Sequence, residues 1–254
     1  MAPPVIEFRN VTLAFGREIL LEKVNLSVSQ GEVFVLIGPS GQGKSVVLKL
    51  MGGLLTPTSG EVLVEGKNLR TLRSSERQAL VRRMGMLFQK NALFDSLTVG
   101  ENVAFPMREV LHETESKIPP AVDSYLQSVG ILHARDLYPD EISGGMQKRL
   151  GIARAIALKP EIIYYDDPTA GLDPITSRKI IQLIIDLQRE SKSTTVAVTN
   201  DMNRAFQMCT RIGMVVDREL IVTGNHQETL RHPDPRVQQF IHGNLQGPLT
   251  VQVS

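Results

Sequence analysis

Apolar positions along this chain change their spacing several times, and each change marks an element. Val5-Ile6-Glu7-Phe8 and Leu20 to Val28 mix apolar with polar residues largely in alternation, as half-exposed antiparallel strands do. Between them, Leu13 to Arg17 reads as a turn carrying one exposed aromatic, Phe15. Val33 to Ile37 is continuously apolar and largely β-branched, the pattern of a fully buried strand. Val46 to Leu50 reads as the first turns of a helix, and the glycines and Thr-Pro-Thr-Ser-Gly run over 52–60 break the chain. Then come a strand over Glu61 to Glu65, a basic helix capped by Ser74 or Ser75 and ending near Arg83, and an apolar strand over Met84 to Phe88.

From Lys90 to about Lys159 the spacing is helical. Thr98 with Glu101 makes a capping box. Pro119-Pro120 starts a helix with Val122, Tyr125, Leu126 and Val129 on one face, and Gly130 stops it. A further helix runs from about Gly145 to Leu158. Beyond Pro160 a buried strand (Ile162 to Tyr165), an amphipathic helix (Ser177 to Glu190) and a strand (Thr195 to Thr199) follow in turn. The helix Met202 to Met208 and strands near Ile212 to Val216 and Leu220 to Thr223 complete the series. Alternating strands and helices predict an α/β fold, with a mainly parallel sheet covered on both faces. We expect a core over 1–89 and 160–230 with an antiparallel β subdomain at its N-terminal side. A helical insertion over 90–159 and a C-terminal tail over 231–254 complete the plan.

Composition narrows the classes. The chain has 254 residues, 42% apolar and 22% charged, enough to bury a core and unlike a disordered segment. A formal charge of +1 offers no global basic field for nucleic acid. One cysteine cannot form an internal disulfide, which suits a reducing compartment. The start lacks the charged and apolar regions of a signal peptide. No apolar stretch approaches the ~20 residues of a membrane span. We therefore expect a cytoplasmic protein whose membrane role, if any, comes through a partner.

The chemistry starts where the first buried strand ends. Gly38-Pro39-Ser40-Gly41-Gln42-Gly43-Lys44-Ser45 fits G-x-x-x-x-G-K-[ST], between a strand and a helix. Backbone N–H groups of such a loop, with the helix N-terminus behind them, form an anion site. Its glycines let the backbone approach phosphates closely. Lys44 would reach the β- and γ-phosphates, and the Ser45 hydroxyl would sit on Mg²⁺. A glycine-rich turn that binds nothing is the alternative that this context disfavours.

The end of the helical insertion, Ile142-Ser143-Gly144-Gly145-Met146-Gln147, resembles the LSGGQ signature of the ATP-binding-cassette family. Ile142 stands for its Leu and Met146 for its Gln. Asp166-Asp167-Pro168 after an apolar strand matches that family's Walker B, Gln89 its Q-loop, and Ala170 to Asp173 its D-loop. Thr199-Asn200-Asp201 takes the switch position, and Phe15 falls where the family stacks an aromatic on adenine. The resemblance spans nearly the whole chain and implies a P-loop NTPase (RecA-like) core binding ATP and Mg²⁺. Ser45, Gln89 and Asp166 are its implied metal ligands. It also implies that Ser143, Gly144 and Gly145 face the ATP held by a second copy, so that a dimer sandwiches two nucleotides. Two catalytic positions depart from the pattern: Asp167 replaces the usual Glu, and Asn200 the usual His. Asp is one methylene shorter, and a misplacement of about 1 Å can cost on the order of a hundredfold in rate. Asn donates a hydrogen bond but carries no positive charge. A slow ATPase and an ATP-binding dimer with little turnover both remain open, and replacing Asp167 with Glu is expected to raise turnover.

Further segments resemble the ATP-binding subunit of Mla-type phospholipid transporters: Gly85 to Gln89, Ala92 to Phe94, Glu101 to Pro106, Gly171 to Thr176, and the tail Pro233 to Ile241 followed by Gly247-Pro248. That resemblance implies transmembrane permease subunits, an MCE-type lipid-binding protein, in some members a STAS-domain protein, and a place on the cytoplasmic face of the inner membrane. Phe94 to Val99 is expected to form part of the permease docking surface, with ordinary loop packing as the alternative. A cassette serving another solute and a soluble non-transport cassette ATPase are the rival readings. The latter class commonly carries two cassettes, long coiled coils or a basic face, and this chain has none of these.

Overall fold

The computed structural model describes residues 3–250. The chain begins with β1 (Ile6–Phe15), β2 (Glu18–Val28), β3 (Val33–Ile37), α1 (Lys44–Met51), β4 (Ser59–Val64) and β5 (Lys67–Asn68). It continues with α2 (Ser74–Val81), β6 (Met84–Leu87), α3 (Val99–Glu109), α4 (Ile118–Ser128), α5 (Gly144–Ile156), β7 (Ile162–Asp166) and α6 (Pro174–Ser191). Last come β8 (Thr194–Val198), α7 (Met202–Met208), β9 (Arg211–Val216), β10 (Glu219–Gly224), α8 (His226–Leu230) and α9 (Pro235–His242). The described residues fall into two compact units: those up to Leu72 with those from Val196 on, and Arg73–Thr195.

In the first unit β1, β2, β4 and β5 form an antiparallel sheet. β1 buries Ile6 and Phe8, then Val11 and Leu13. The buried set thus changes from even to odd positions, which a regular strand cannot do. A bulge makes the change: Asn10 takes φ 49°, and the register slips between Phe8 and Val11. Asn10 and Asn25 secure it, the Asn10 N–H donating to Asn25 Oδ1 at 2.9 Å. The strand therefore continues to Phe15, and the turn expected over 13–17 shrinks to Gly16-Arg17. Beside this sheet, every residue of β3 is buried, as its unbroken apolar run predicts. β3 pairs in parallel with β9, and β9 pairs antiparallel with β10.

The tail is bound to its own unit. Arg236 on α9 reaches Glu219 at 3.0 Å, Asp217 at 3.3 Å and Asp234 at 2.8 Å. Gln239, almost fully buried, accepts from Leu249 N at 2.7 Å and donates to Asn244 O at 3.1 Å.

In the second unit β6 and β7 pair in parallel, and residues 90–159 hold helices and turns with no strand. Glycines let α5 lie close on β6. A Cβ on Gly85 would stand 2.2 Å from Ala155 O, and one on Gly151 2.5 Å from Leu87 Cδ1. α4 buries Val122 and Leu126 with Val129 just beyond it, on the face the spacing predicts. Two helix starts differ from expectation. Arg73, not a serine, is the N-cap of α2, and its N–H donates to Glu76 Oε2 at 3.2 Å. α6 begins at Pro174, one turn before Ser177, because Asp173 caps it and proline is preorganised for the first helical position. No described helix is long and apolar enough to cross a membrane.

Candidate functional site

In the first unit the glycine loop joins β3 to α1. Gly38 is buried with φ 133°, and a Cβ there would lie 2.2 Å from Val215 O on β9. Only glycine fits this close approach. Lys44, 7% exposed, donates to Gly38 O at 2.8 Å and Pro39 O at 2.7 Å. Both of those acceptors are neutral carbonyls, and a phosphate oxygen makes the stronger, charge-assisted bond. Ser45 follows in the first turn of α1. Gln42 Oε1 accepts from Asp217 N at 3.1 Å, which ties the loop to the β9–β10 turn. The donors here fit a polyphosphate.

Asn200 belongs to the same unit. Thr199 N donates to Leu36 O at 3.1 Å, so this segment runs beside the strand that leads into the glycine loop. Thr199 Oγ1 accepts from Asp201 N at 3.1 Å, and Asp201 caps α7 through Arg204 N at 3.2 Å. Asn200 is left exposed between these anchors. Phe15 is 52% exposed at the end of β1, a surface aromatic and not a core one.

The second unit gathers the acidic residues. β7 is buried throughout and ends in Asp166, 5% exposed, where parallel strands collect ligands. Asp167 follows in a left-handed conformation, φ 46°, with Ala170 N donating to its carbonyl at 3.1 Å. Gln89 is exposed just past β6, the partner strand of β7. Among the described residues no group of three or more His, Cys, Asp or Glu could hold a metal ion. Mg²⁺ is commonly held by one or two carboxylates together with phosphate oxygens, and Asp166 can supply one such carboxylate.

Ser143 is the N-cap of α5, its hydroxyl accepting from Met146 N at 3.3 Å. Gly144 and Gly145 open that helix beside the D-loop. A Cβ on Gly145 would stand 2.8 Å from Thr176 Cγ2, and one on Gly144 3.8 Å from Leu172. Asp173 accepts from Ile175 N and Thr176 N, both at 2.9 Å, and the Thr176 side chain, followed by these backbone bonds, holds its carboxyl below the usual range. Its side chain caps α6. The lone cysteine, Cys209, is half-buried, and burial pushes its thiol up to about 11, well away from reactivity.

Two cations in this unit escaped the sequence reading. Lys148 on α5 is 4% exposed and donates to the backbone carbonyl of Gln89. Burial lowers its pKa, while the Asp167 and Asp166 carboxylates act in the opposite sense. Arg154, one helix face further on, donates to Asn91 O at 3.0 Å and lies 5.5 Å over the Phe94 ring. Helical spacing could have found Lys148, since it shares the stripe of Gly151, Ile152 and Ala155, all buried.

A family model described as ABC transporter matches residues 21–170. The intermembrane phospholipid transport system ATP-binding protein MlaF of Haemophilus influenzae is 38% identical over 96% of this chain and 93% of its own length. MlaF of Escherichia coli strain K12 is 36% identical over 96% of this chain and 91% of its own. A probable ribonucleotide transport ATP-binding protein, mkl, of Mycobacterium leprae is 40% identical over 96% of this chain but 70% of its own length. Among solved structures, a dimeric post-hydrolysis state of the ATP-binding cassette MJ0796, bound to ADP and Pi, has a TM-score of 0.78 at 35% identity. It covers 85% of this chain and 96% of that one. The cbiO1 protein of the Clostridium perfringens cbiONQ transporter complex has a TM-score of 0.82 at 26% identity, over 96% of both chains. The fold is that of the P-loop NTPases.

Proposed function

This chain belongs to the ABC transporter family, and we propose that it is the ATP-binding subunit of a phospholipid transporter, hydrolysing ATP to drive a separate permease. The observation that carries the reading is its end-to-end likeness to two proteins named for intermembrane phospholipid transport. The ribonucleotide-transport relative is the basis of a second reading.

Each residue has a task that its chemistry suits. The loop from Gly38 to Ser45 cradles the phosphates, with Pro39, Ser40, Gly41, Gln42 and Gly43 supplying backbone and Lys44 its charge. Phe15 offers its exposed ring to adenine. Ser45, Asp166 and Gln89 each carry an oxygen of the kind that would hold Mg²⁺, and the ion would neutralise charge on the phosphates. Asp167 polarises the attacking water, and Asn200 donates its amide to a phosphate oxygen. Ser143, Gly144 and Gly145 close over the nucleotide of a second copy, with Asp173 holding the adjoining helix start. A carboxylate and a donor at the two altered positions support slow hydrolysis, since this reaction needs mainly positioning and charge stabilisation. ATP that touches both copies favours the closed dimer by its differential affinity.

The stretch after Gln89 passes this change to the permease. Phe94 and Phe105, 40% and 37% exposed, pack with ring centres 4.5 Å apart. Fully buried Asn102 fixes the loop that carries Phe94, accepting from Phe94 N and donating to the carbonyls of Phe94, Leu97 and Thr98. An exposed aromatic pair, one ring on this pinned loop and the other on α3, is a suitable docking surface. An MCE-type lipid-binding protein and a STAS-domain protein complete the proposed assembly, which places the chain on the cytoplasmic face of the inner membrane. Purification of the native complex and mass spectrometry of its bound small molecules tests this. Phospholipid is the expected cargo; ribonucleotide with a permease would overturn it in favour of the second reading.

A further inference from the structure

We propose that Lys148 is a positioning residue of this ATPase, tying the backbone of Gln89 to the helix that starts at Ser143 and holding positive charge against Asp166 and Asp167. The inference rests on the reading above and assigns that site a residue that no motif includes.

The position is an odd one for a charge. Lys148 lies on the face of α5 that packs against β6, in line with Gly151, Ile152 and Ala155, and it is 4% exposed. An apolar side chain of similar length would fill this seam without the desolvation penalty of an ammonium. Buried charges persist where they are paired and hydrogen-bonded. Both conditions are met by functional groups: the Gln89 carbonyl accepts a hydrogen bond from Nζ, and the carboxylates of Asp167 and of Asp166, at the end of β7, attract the ammonium through space.

Two consequences follow. First, a displacement of α5, when its Ser143 end engages a nucleotide, is passed directly to Gln89. Second, the ammonium offsets part of the negative charge that would attract a divalent cation to Asp166. Removing the charge should therefore strengthen the contribution of Mg²⁺ to ATP binding, while freeing Gln89 slows turnover. A merely structural lysine would weaken both together.

The test uses the purified full-length chain and a fluorescent ATP analogue, titrated once with EDTA and once with Mg²⁺. The readout is the ratio of the two dissociation constants, alongside ATP turnover. Lys148→Met and Lys148→Gln are expected to raise that ratio on the order of fivefold, because a screened charge–charge interaction of this kind is lost. Lys148→Arg is expected to restore the wild-type ratio. Turnover should fall on the order of tenfold in Lys148→Met, since a small misplacement of a catalytic group costs at least this much. If Lys148→Met does not fold, the Gln and Arg pair carries the test, since both keep a donor and differ in charge. An unchanged or lowered ratio in the uncharged variants would overturn the inference. If the wild-type chain gains nothing from Mg²⁺, the ATP-site reading itself fails, and this inference with it.

Discussion

Asp167 holds a backbone conformation, φ 46°, that aspartate tolerates better than glutamate does. The residue proposed to polarise water is thus short where reach is wanted and well suited where the chain must turn. Asp167→Glu is expected to raise turnover several-fold, because the carboxylate gains one methylene of reach. The same variant should lose about 0.5 kcal/mol of stability to the left-handed backbone, a fall of about 1–2 °C in Tm. A steady-state assay with a melting curve checks both; turnover that stays flat or falls contradicts this account of the defect. Asp173 makes a second prediction. Its bonds to the first turn of α6 hold its folded pKa below the unfolded value of about 3.9. Its contribution is therefore fully present above about pH 4 and fades as pH drops through the lowered folded value. Asp173→Ala should melt below wild type at pH 7, and the gap should narrow towards pH 3; a gap that widens in acid would reverse the sign.

Among the elements, Asn102 shows how one buried side chain can hold a loop. It serves the carbonyls of three neighbouring residues and one N–H, at 2.9 to 3.0 Å. Asn102→Ala removes these partners inside the protein and is expected to cost about 3 kcal/mol, lowering Tm by about 6–12 °C. Rising proteolysis or hydrogen exchange confined to 94–98 would locate the damage there. Elements with one unbroken signal were legible in the sequence: β3 from its apolar run, α4 from its spacing, and the α3 start from Thr98 and Glu101, which exchange bonds at 3.2 and 2.8 Å. β1 was only half legible, because the bulge at Asn10 shifts its buried set by one position and a shifted alternation looks like a strand end. Lys148 was missed because charge on a helix normally marks the solvent face, and here its stem and head are buried.

For the whole molecule, motif order made the family legible, and the segments that resemble Mla-type transporters agree with the likeness to two intermembrane phospholipid transport ATP-binding proteins. Catalytic parts of the proposed site come from short stretches far apart in the chain, so the sequence names them without measuring how they meet. The central claim is that a triphosphate is shared by the glycine cradle of one protomer and the serine–glycine helix tip of its twin. Mixing two inactive variants tests it most directly: Lys44→Ala, which disables the cradle, and Ser143→Arg, which blocks the tip. In a head-to-tail pair each mixed dimer keeps one intact site. Equal amounts, after subunit exchange, should therefore recover about a quarter of the wild-type ATPase rate per chain. A mixture no more active than the two variants measured separately would contradict the shared site.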